Sequence, residues 1–159
     1  MLNYLAMGII GLTLLVSLYS DIRYRKIYNV VTIPVFIMGF FVSGIMYWYR
    51  EGWKGVVLWL TALVIAGLCG WIFERGAIWA AGDTKLYLSC LTWLYVVYHS
   101  VIVTGLIIGA VLMLHFLLNI VARLMKYTFR VPRLFRLIPN GQYPGAITIT
   151  LAVLLVVVI

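Results

Sequence analysis

Six long apolar runs, separated by short polar connections, constrain the fold of this chain more than any other feature. The runs cover about Leu2–Ser20, Val30–Tyr49, Gly55–Phe73, Thr84–Tyr98, Val101–Ala122 and Gly145–Ile159. A helix needs about 20 apolar residues to cross a bilayer core, so the shorter fourth and sixth runs must begin in a preceding loop or cross a thin region. The mean hydropathy is +1.12 and 10% of residues are charged, far from a soluble domain. The sequence therefore predicts an all-α, polytopic integral membrane bundle of about six transmembrane helices.

The basic residues predict how this bundle is oriented. The loops after the first, third and fifth runs hold ten of the twelve, namely Arg23, Arg25, Lys26, Arg75, Lys85, Arg123, Lys126, Arg130, Arg133 and Arg136. The opposite side holds Arg50 and Lys54. Because basic residues favour the cytoplasmic side, we expect the ten-residue side to face the cytosol of a cell (inner or plasma) membrane and both termini to face away. The net charge of +8 then needs no nucleic-acid partner.

The four acidic residues are sorted by the same topology. Asp21, Glu74 and Asp83 fall on the cytoplasmic side, and Glu51 falls on the other. Ionisable side chains at the edge of hydrocarbon are costly and point to function. The topology therefore predicts that Asp21 and Asp83, more than sixty positions apart, lie at the same depth in the same leaflet.

Asp21 and Asp83 would form a reactive pair if their carboxyl groups met. Two close carboxylates tend to share one proton, so one can activate water as a base while the other, protonated, polarises a carbonyl. This is the chemistry of aspartic proteases. Two structural interpretations compete with it: Asp83 as the N-cap of the fourth span, and Asp21 as a solvated residue that closes the first.

Three motifs resemble the type IV prepilin peptidases, intramembrane aspartic proteases related to the archaeal preflagellin peptidases. The segment from Ala80 to Lys85, Ala-Ala-Gly-Asp-Thr-Lys, resembles the family signature Gly-x-Gly-Asp-x-Lys. The segment that starts at Asp21 and ends in Ile-Tyr-Asn is similar to the first family motif, an Asp followed by basic residues and Ile-Pro-Asn. Tyr-Pro-Gly-Ala-Ile at 143–147 is similar to the segment before the last family span. Ala80 replaces a glycine, Tyr28 replaces a proline, and the order of the third motif is altered.

The resemblance implies an activity and a substrate. The enzyme would remove the short basic leader of a type IV prepilin-like protein at the cytoplasmic membrane face, with Asp21 and Asp83 as catalytic residues and no metal or cofactor. The chain resembles the short, peptidase-only branch that serves tight-adherence (Flp) pili or archaeal filaments. Residues 1–159 would then form a single membrane-embedded peptidase domain, with no soluble zinc-binding methyltransferase domain.

Four further residues are candidates for supporting or substrate-binding roles. Gly82 would let a substrate backbone approach Asp83, or it ends a turn. Lys85 would bias which aspartate is ionised, or it is a snorkelling interfacial lysine. Asn29 would bond to the chain near Asp21, or it caps the second span. Glu74 is a candidate contact for leader lysines.

Two other features predict contacts with neighbouring helices and with lipid. Small residues at helical spacing are expected to face the bundle interior, in the sets Ala62, Ala66, Gly70 and Gly105, Gly109. The basic loop at 123–136, with interleaved apolar residues, is expected to bind anionic lipid. Cys69 and Cys90 lie in apolar runs without metal-ligand spacing, and we interpret them as packing residues.

Two other classes of function remain open from the residues themselves. In a small transporter or proton-conducting channel the two acids would be relay sites. In a non-catalytic assembly subunit both aspartates would be replaceable. The sequence also leaves open the prepilin that is cut, the bacterial or archaeal source, and whether the protein forms a dimer.

Overall fold

The structure, a computed structural model, describes most of the first hundred residues and selected later positions. These are residues 1–24, 26–76, 80–100, 103, 105, 109, 113, 114, 117, 120, 121, 146, 147, 149–151 and 153. Three helices follow in order, α1 (Leu2–Tyr24), α2 (Asn29–Arg75) and α3 (Ala81–Tyr98). Every regular element within these residues is helical, which confirms the all-α class. The basic loop at 123–136 lies outside the described residues, so its predicted lipid contact stays a prediction.

Helix α2 is a hairpin of two arms. It has 47 residues and a break at Gly52, where φ is 65° and ψ is −152°, a conformation open essentially to glycine. In a straight helix Phe40 and Trp59 would lie about 28 Å apart, but their ring centroids are 4.8 Å apart. The chain therefore reverses at Gly52, and the two arms (residues 29–51 and 53–75) match the second and third apolar runs.

Two of the helices are long and apolar enough to cross a membrane. Within the described residues these are α1 and α2, and the reversal inside α2 provides two potential crossings. With α3, four of the six predicted runs correspond to helical segments. The described part of the chain does not test the count of six.

Helix α3 lies at the centre of the described bundle and contacts both other helices. Twelve of its 18 residues are buried, whereas α1 buries a single stripe. That stripe recurs every three or four residues, as one face of a helix must, and consists of Ala6, Ile10, Thr13, Leu14, Ser17, Ser20 and Asp21. Asp21 is therefore on the face that packs inward.

Small residues of the second arm of α2 form one contact with α3, as predicted. Ala66 is 1% exposed, and a side chain at Gly70 would lie 2.5 Å from Cγ2 of Thr84. The matching prediction for Gly105 and Gly109 is wrong within this chain, because both are exposed and have open space around them. Small-residue spacing alone does not determine which face of a helix is covered.

The ends of the helices exclude two capping roles that the sequence left open as alternatives. Ala80 is the N-cap of α3 and Asp83 is its third helical residue, so Asp83 is not an N-cap. Tyr28 is the N-cap of α2, so Asn29 is not a cap either. Both helices begin one turn or less before the apolar run, and the N-cap residue of each, Tyr28 or Ala80, has an extended backbone.

Candidate active site

Asp21 lies in the last turn of α1, at the end of its buried stripe. Its side chain is 8% exposed. The backbone N–H of Ala146 donates a hydrogen bond to Oδ2 of Asp21 over 3.4 Å, and Ala146 itself is fully buried. A carboxylate is electrostatically disfavoured at a helix C-terminus. The hydrogen bond from Ala146 offsets part of that cost.

Asp83 lies in the first turn of α3 and is 6% exposed. Its Oδ2 accepts a hydrogen bond from the backbone N–H of Ala80 over 3.0 Å. This bond, from the N-cap N–H to the side chain of the third helical residue, is one of the two bonds of a capping box. It places Asp83 at the N-terminal end of α3, where negative charge is favoured. Ala80 has no side-chain oxygen, so the other half of the box cannot form.

The two carboxyl groups are close enough to influence each other electrostatically. Asp83 immediately precedes the predicted span Thr84–Tyr98, so it lies outside the segment expected to cross the membrane. Burial raises the pKa of Asp83 to about 7, the N–H of Ala80 acts in the opposite direction, and the negative charge of Asp21 adds to the rise. The negative charge of Asp21 therefore acts on Asp83 in the folded chain, although the two residues belong to different helices.

The first turn of α3 is also held by the connection between α1 and α2. Ile27, in that connection, is 8% exposed, and a side chain at Gly82 would lie 3.0 Å from its Cβ. Gly82 therefore lets this connection pack closely against α3. The space next to Gly82 is taken by Ile27, which favours a packing role over the predicted approach of substrate at that atom.

Lys85 and Asn29 contact each other. The ammonium of Lys85 donates a hydrogen bond to Oδ1 of Asn29 over 2.9 Å, across 56 positions of sequence. Both residues are exposed. The sequence indicated each of them separately, and their pairing appears only in the fold.

Glu74 occupies the last turn of α2 and is partly exposed. It lies at the same end of the bundle as the aspartates, because Gly70, one turn earlier, contacts Thr84 beside Asp83. Arg75, its neighbour, lies over the ring of Trp71 with 5.2 Å to the centroid. The structure thus brings Glu74 to the site end without a described contact to either aspartate.

Sequence reasoning missed two residues that shape this site. Ala146 supplies a backbone donor to Asp21, and the hydroxyl of Thr84 donates to the carbonyl of Gly70 over 3.3 Å. Ala146 lies in the third motif, which marked this segment as functional. The sequence could not show that Asp21 is its hydrogen-bond partner. Among the residues that the structure describes, no cluster of three or more His, Cys, Asp or Glu side chains could hold a metal ion.

Comparison with known families identifies the chain. The profile of the type IV leader peptidase family matches residues 8–125. This protein belongs to the type IV leader peptidase family. Searches of curated proteins and of solved structures returned no match.

Membership of the type IV leader peptidase family assigns the general activity. The protein is a peptidase, and therefore a hydrolase, of a membrane-embedded family whose substrates are prepilin-like proteins. The matched region includes both aspartates and Lys85. Ala146 lies beyond it, so the contact with Asp21 joins the matched region to the C-terminal part of the chain.

Proposed function

We propose that this leader peptidase is an intramembrane aspartic endopeptidase in which Asp21 and Asp83 activate water. It removes the short basic leader of a type IV prepilin-like protein at the cytoplasmic membrane face. The observation that supports this most directly is that the charge of buried Asp21, on α1, acts on buried Asp83, on α3. Such a pair is costly to bury, and perturbed carboxyl groups of this kind are typical of catalytic sites.

The environments of the two acids favour different protonation states. Burial and the charge of Asp21 raise the pKa of Asp83 to about 7, so a substantial fraction of Asp83 is protonated at neutral pH. Asp21 accepts the N–H of Ala146, and a hydrogen bond to the charged form of a carboxyl group favours that form. We therefore assign Asp21 as the general base and Asp83 as the general acid.

The proposed reaction is hydrolysis by one water molecule. Asp21 removes a proton from water while the water oxygen bonds to the scissile carbonyl carbon, and Asp83 donates its proton to the carbonyl oxygen. In the second step the proton held by Asp21 passes to the amide nitrogen and the C–N bond breaks. The carbonyl re-forms by returning its proton to Asp83. The leader gains a carboxyl group, the mature protein gains an amino group, and both aspartates regain their starting states.

The arrangement of the helix ends supports cleavage at one membrane face. The C-terminus of α1, both ends of α2 and the N-terminus of α3 lie at the same end of the bundle, close to Asp21 and Asp83. Four described basic residues are found at that end, namely Arg23, Lys26, Arg75 and Lys85. By the positive-inside rule this end faces the cytoplasm. A prepilin whose leader stays cytosolic would present its scissile bond there.

The experiment is cleavage of a purified prepilin by purified enzyme in liposomes, followed by mass spectrometry of both products. Asp21→Asn and Asp83→Asn should each abolish cleavage while the protein stays inserted and folded. Glu51→Gln is the matched control, because Glu51 is an exposed acid next to the turn at Gly52, at the other end. Its rate should equal that of the wild type. Normal cleavage by either aspartate variant would refute the aspartic mechanism.

A further inference from the structure

Three hydrogen bonds connect α3 to the first arm of α2. Lys85 Nζ donates to Asn29 Oδ1 over 2.9 Å. The Ser89 hydroxyl donates to the Thr32 carbonyl over 2.8 Å, and Trp93 Nε1 donates to the Val35 carbonyl over 2.9 Å. The donors are spaced by four and the acceptors by three, so each set lies on one helix face. Both series ascend together, so the two helices run in the same direction.

The Lys85–Asn29 bond differs from the other two. The inner bonds end on backbone carbonyls, which any residue provides, whereas the outer bond needs an acceptor side chain at position 29. The outer bond also lies at the exposed end of the interface, next to the aspartates. It is therefore the bond of this series whose strength depends most on the identity of its acceptor residue.

The location of the pair relates it to both acids. Lys85 follows Asp83 by two residues in the first turns of α3, and its side chain is exposed where that of Asp83 is buried. Asn29 is the first residue of α2 and follows the connection from α1, the helix that carries Asp21. Ile27 of that connection packs against Gly82. The bond between Lys85 and Asn29 therefore connects α3, which carries Asp83, to the start of α2, which follows the helix that carries Asp21.

We propose that Lys85 and Asn29 are a positioning pair that fixes the rotation and register of the first turn of α3, and so holds Asp83 against Asp21. This inference rests on the proposed function, because it assigns the pair a role in the geometry of the two acids. In this role the two residues act through Asp83 and need no contact with the reacting atoms. A snorkelling lysine would need only its positive charge, whereas a positioning lysine needs an acceptor at position 29.

A double-mutant cycle tests the pair. Lys85→Met and Asn29→Ala should each lower kcat about tenfold, because each removes a hydrogen bond to a charged group. KM should change less than about twofold, since positioning acts on the chemical step. The double variant should be no slower than either single variant. Asn29→Asp should recover kcat to within about threefold of the wild type, because it restores an acceptor for Lys85.

Controls separate this inference from the proposed function. Lys54→Met removes a lysine charge near the turn at Gly52, and it should leave kcat unchanged. A melting temperature of Asn29→Ala close to that of the wild type would show that the loss is not unfolding. Additive losses in the double variant, or an Asn29→Asp variant as slow as Asn29→Ala, would overturn the positioning role. Inactive Asp21→Asn and Asp83→Asn variants beside fully active Lys85 and Asn29 variants would refute the pair and leave the proposed function standing.

Discussion

The backbone N–H of Ala146 donates a hydrogen bond to Oδ2 of Asp21, 125 positions away. Ile149 and Val153, one and two turns later, are buried with Ala146 in the same core. These described residues of the C-terminal segment therefore pack inside the bundle, and the N–H of Ala146 is directed at a catalytic candidate. Since a hydrogen bond to the charged form of a carboxyl group favours that form, this contact supports an ionised Asp21.

Replacing Ala146 with proline should slow the reaction. Proline removes the N–H donor, and the bond that this N–H makes is the one to Asp21. Because the bond to the Asp21 carboxylate is long, we expect a loss of about tenfold in kcat, near the lower end for charged hydrogen bonds. Ala146→Val is the steric control, because it adds bulk and keeps the donor. Equal rates for the two variants, measured by prepilin cleavage in liposomes, would argue against a role for the N–H.

Activity should fall as the pH rises through about 7. The proposed reaction needs protonated Asp83, and its pKa is raised to about 7 by burial and by Asp21. Above that value the acid form declines about tenfold per pH unit, and kcat/KM should decline with it. Cleavage rates at subsaturating prepilin between about pH 5 and about pH 9 measure this. A rate that increases through neutral pH would contradict the assignment of Asp83 as the acid.

Asp83→Asn should raise thermal stability at alkaline pH. The folded pKa of about 7 exceeds the ordinary 3.8, so the folded state binds the proton more tightly than the unfolded state does. The stability gained is complete below about pH 4 and is lost as the pH rises through about 7.

Asparagine has no charge to bury, so this variant should melt several degrees above the wild type at about pH 8, with a smaller difference at about pH 4. Its amide oxygen can still accept the N–H of Ala80. Glu51→Gln, at an exposed position, should show no such pH dependence. A pH-independent difference in melting temperature between Asp83→Asn and the wild type would contradict the raised pKa.

Gly70→Ala should destabilise the protein, while Gly67→Ala should not. A methyl group at Gly70 would lie 2.5 Å from Cγ2 of Thr84, whereas one at Gly67 would meet nothing within 4 Å. We expect a cost of about 1–3 kcal/mol at Gly70 from overpacking. Alanine at Gly67 should be neutral or slightly stabilising, as helical Gly→Ala changes usually are.

Melting temperatures in detergent test this pair of variants, and prepilin cleavage adds a second measurement. Because Thr84 adjoins Asp83, Gly70→Ala should also reduce activity. Equal stability of the two variants would show that α2 and α3 do not pack closely at Gly70.

The sequence by itself determined the helical class, the apolar runs and the shared side of Asp21 and Asp83. These depend on local composition, because run length sets which segments can span a bilayer and charge sets which ends face one side. A reversal of the chain between the second and third runs was also expected from local composition, because charged residues separate the two runs near Gly52. The motifs also marked Lys85, Asn29 and Ala146.

Only the tertiary structure decided which of these residues meet. The contact of Asp21 with Ala146, the pairing of Lys85 with Asn29 and the packing of Ile27 on Gly82 depend on how far each helix is rotated and shifted along its neighbour. That rotation is set by close contacts between helices, such as Gly70 with Thr84, and by bonds between distant positions. Such contacts leave no signal in local periodicity, because the same spacing covered Gly70 and left Gly105 exposed.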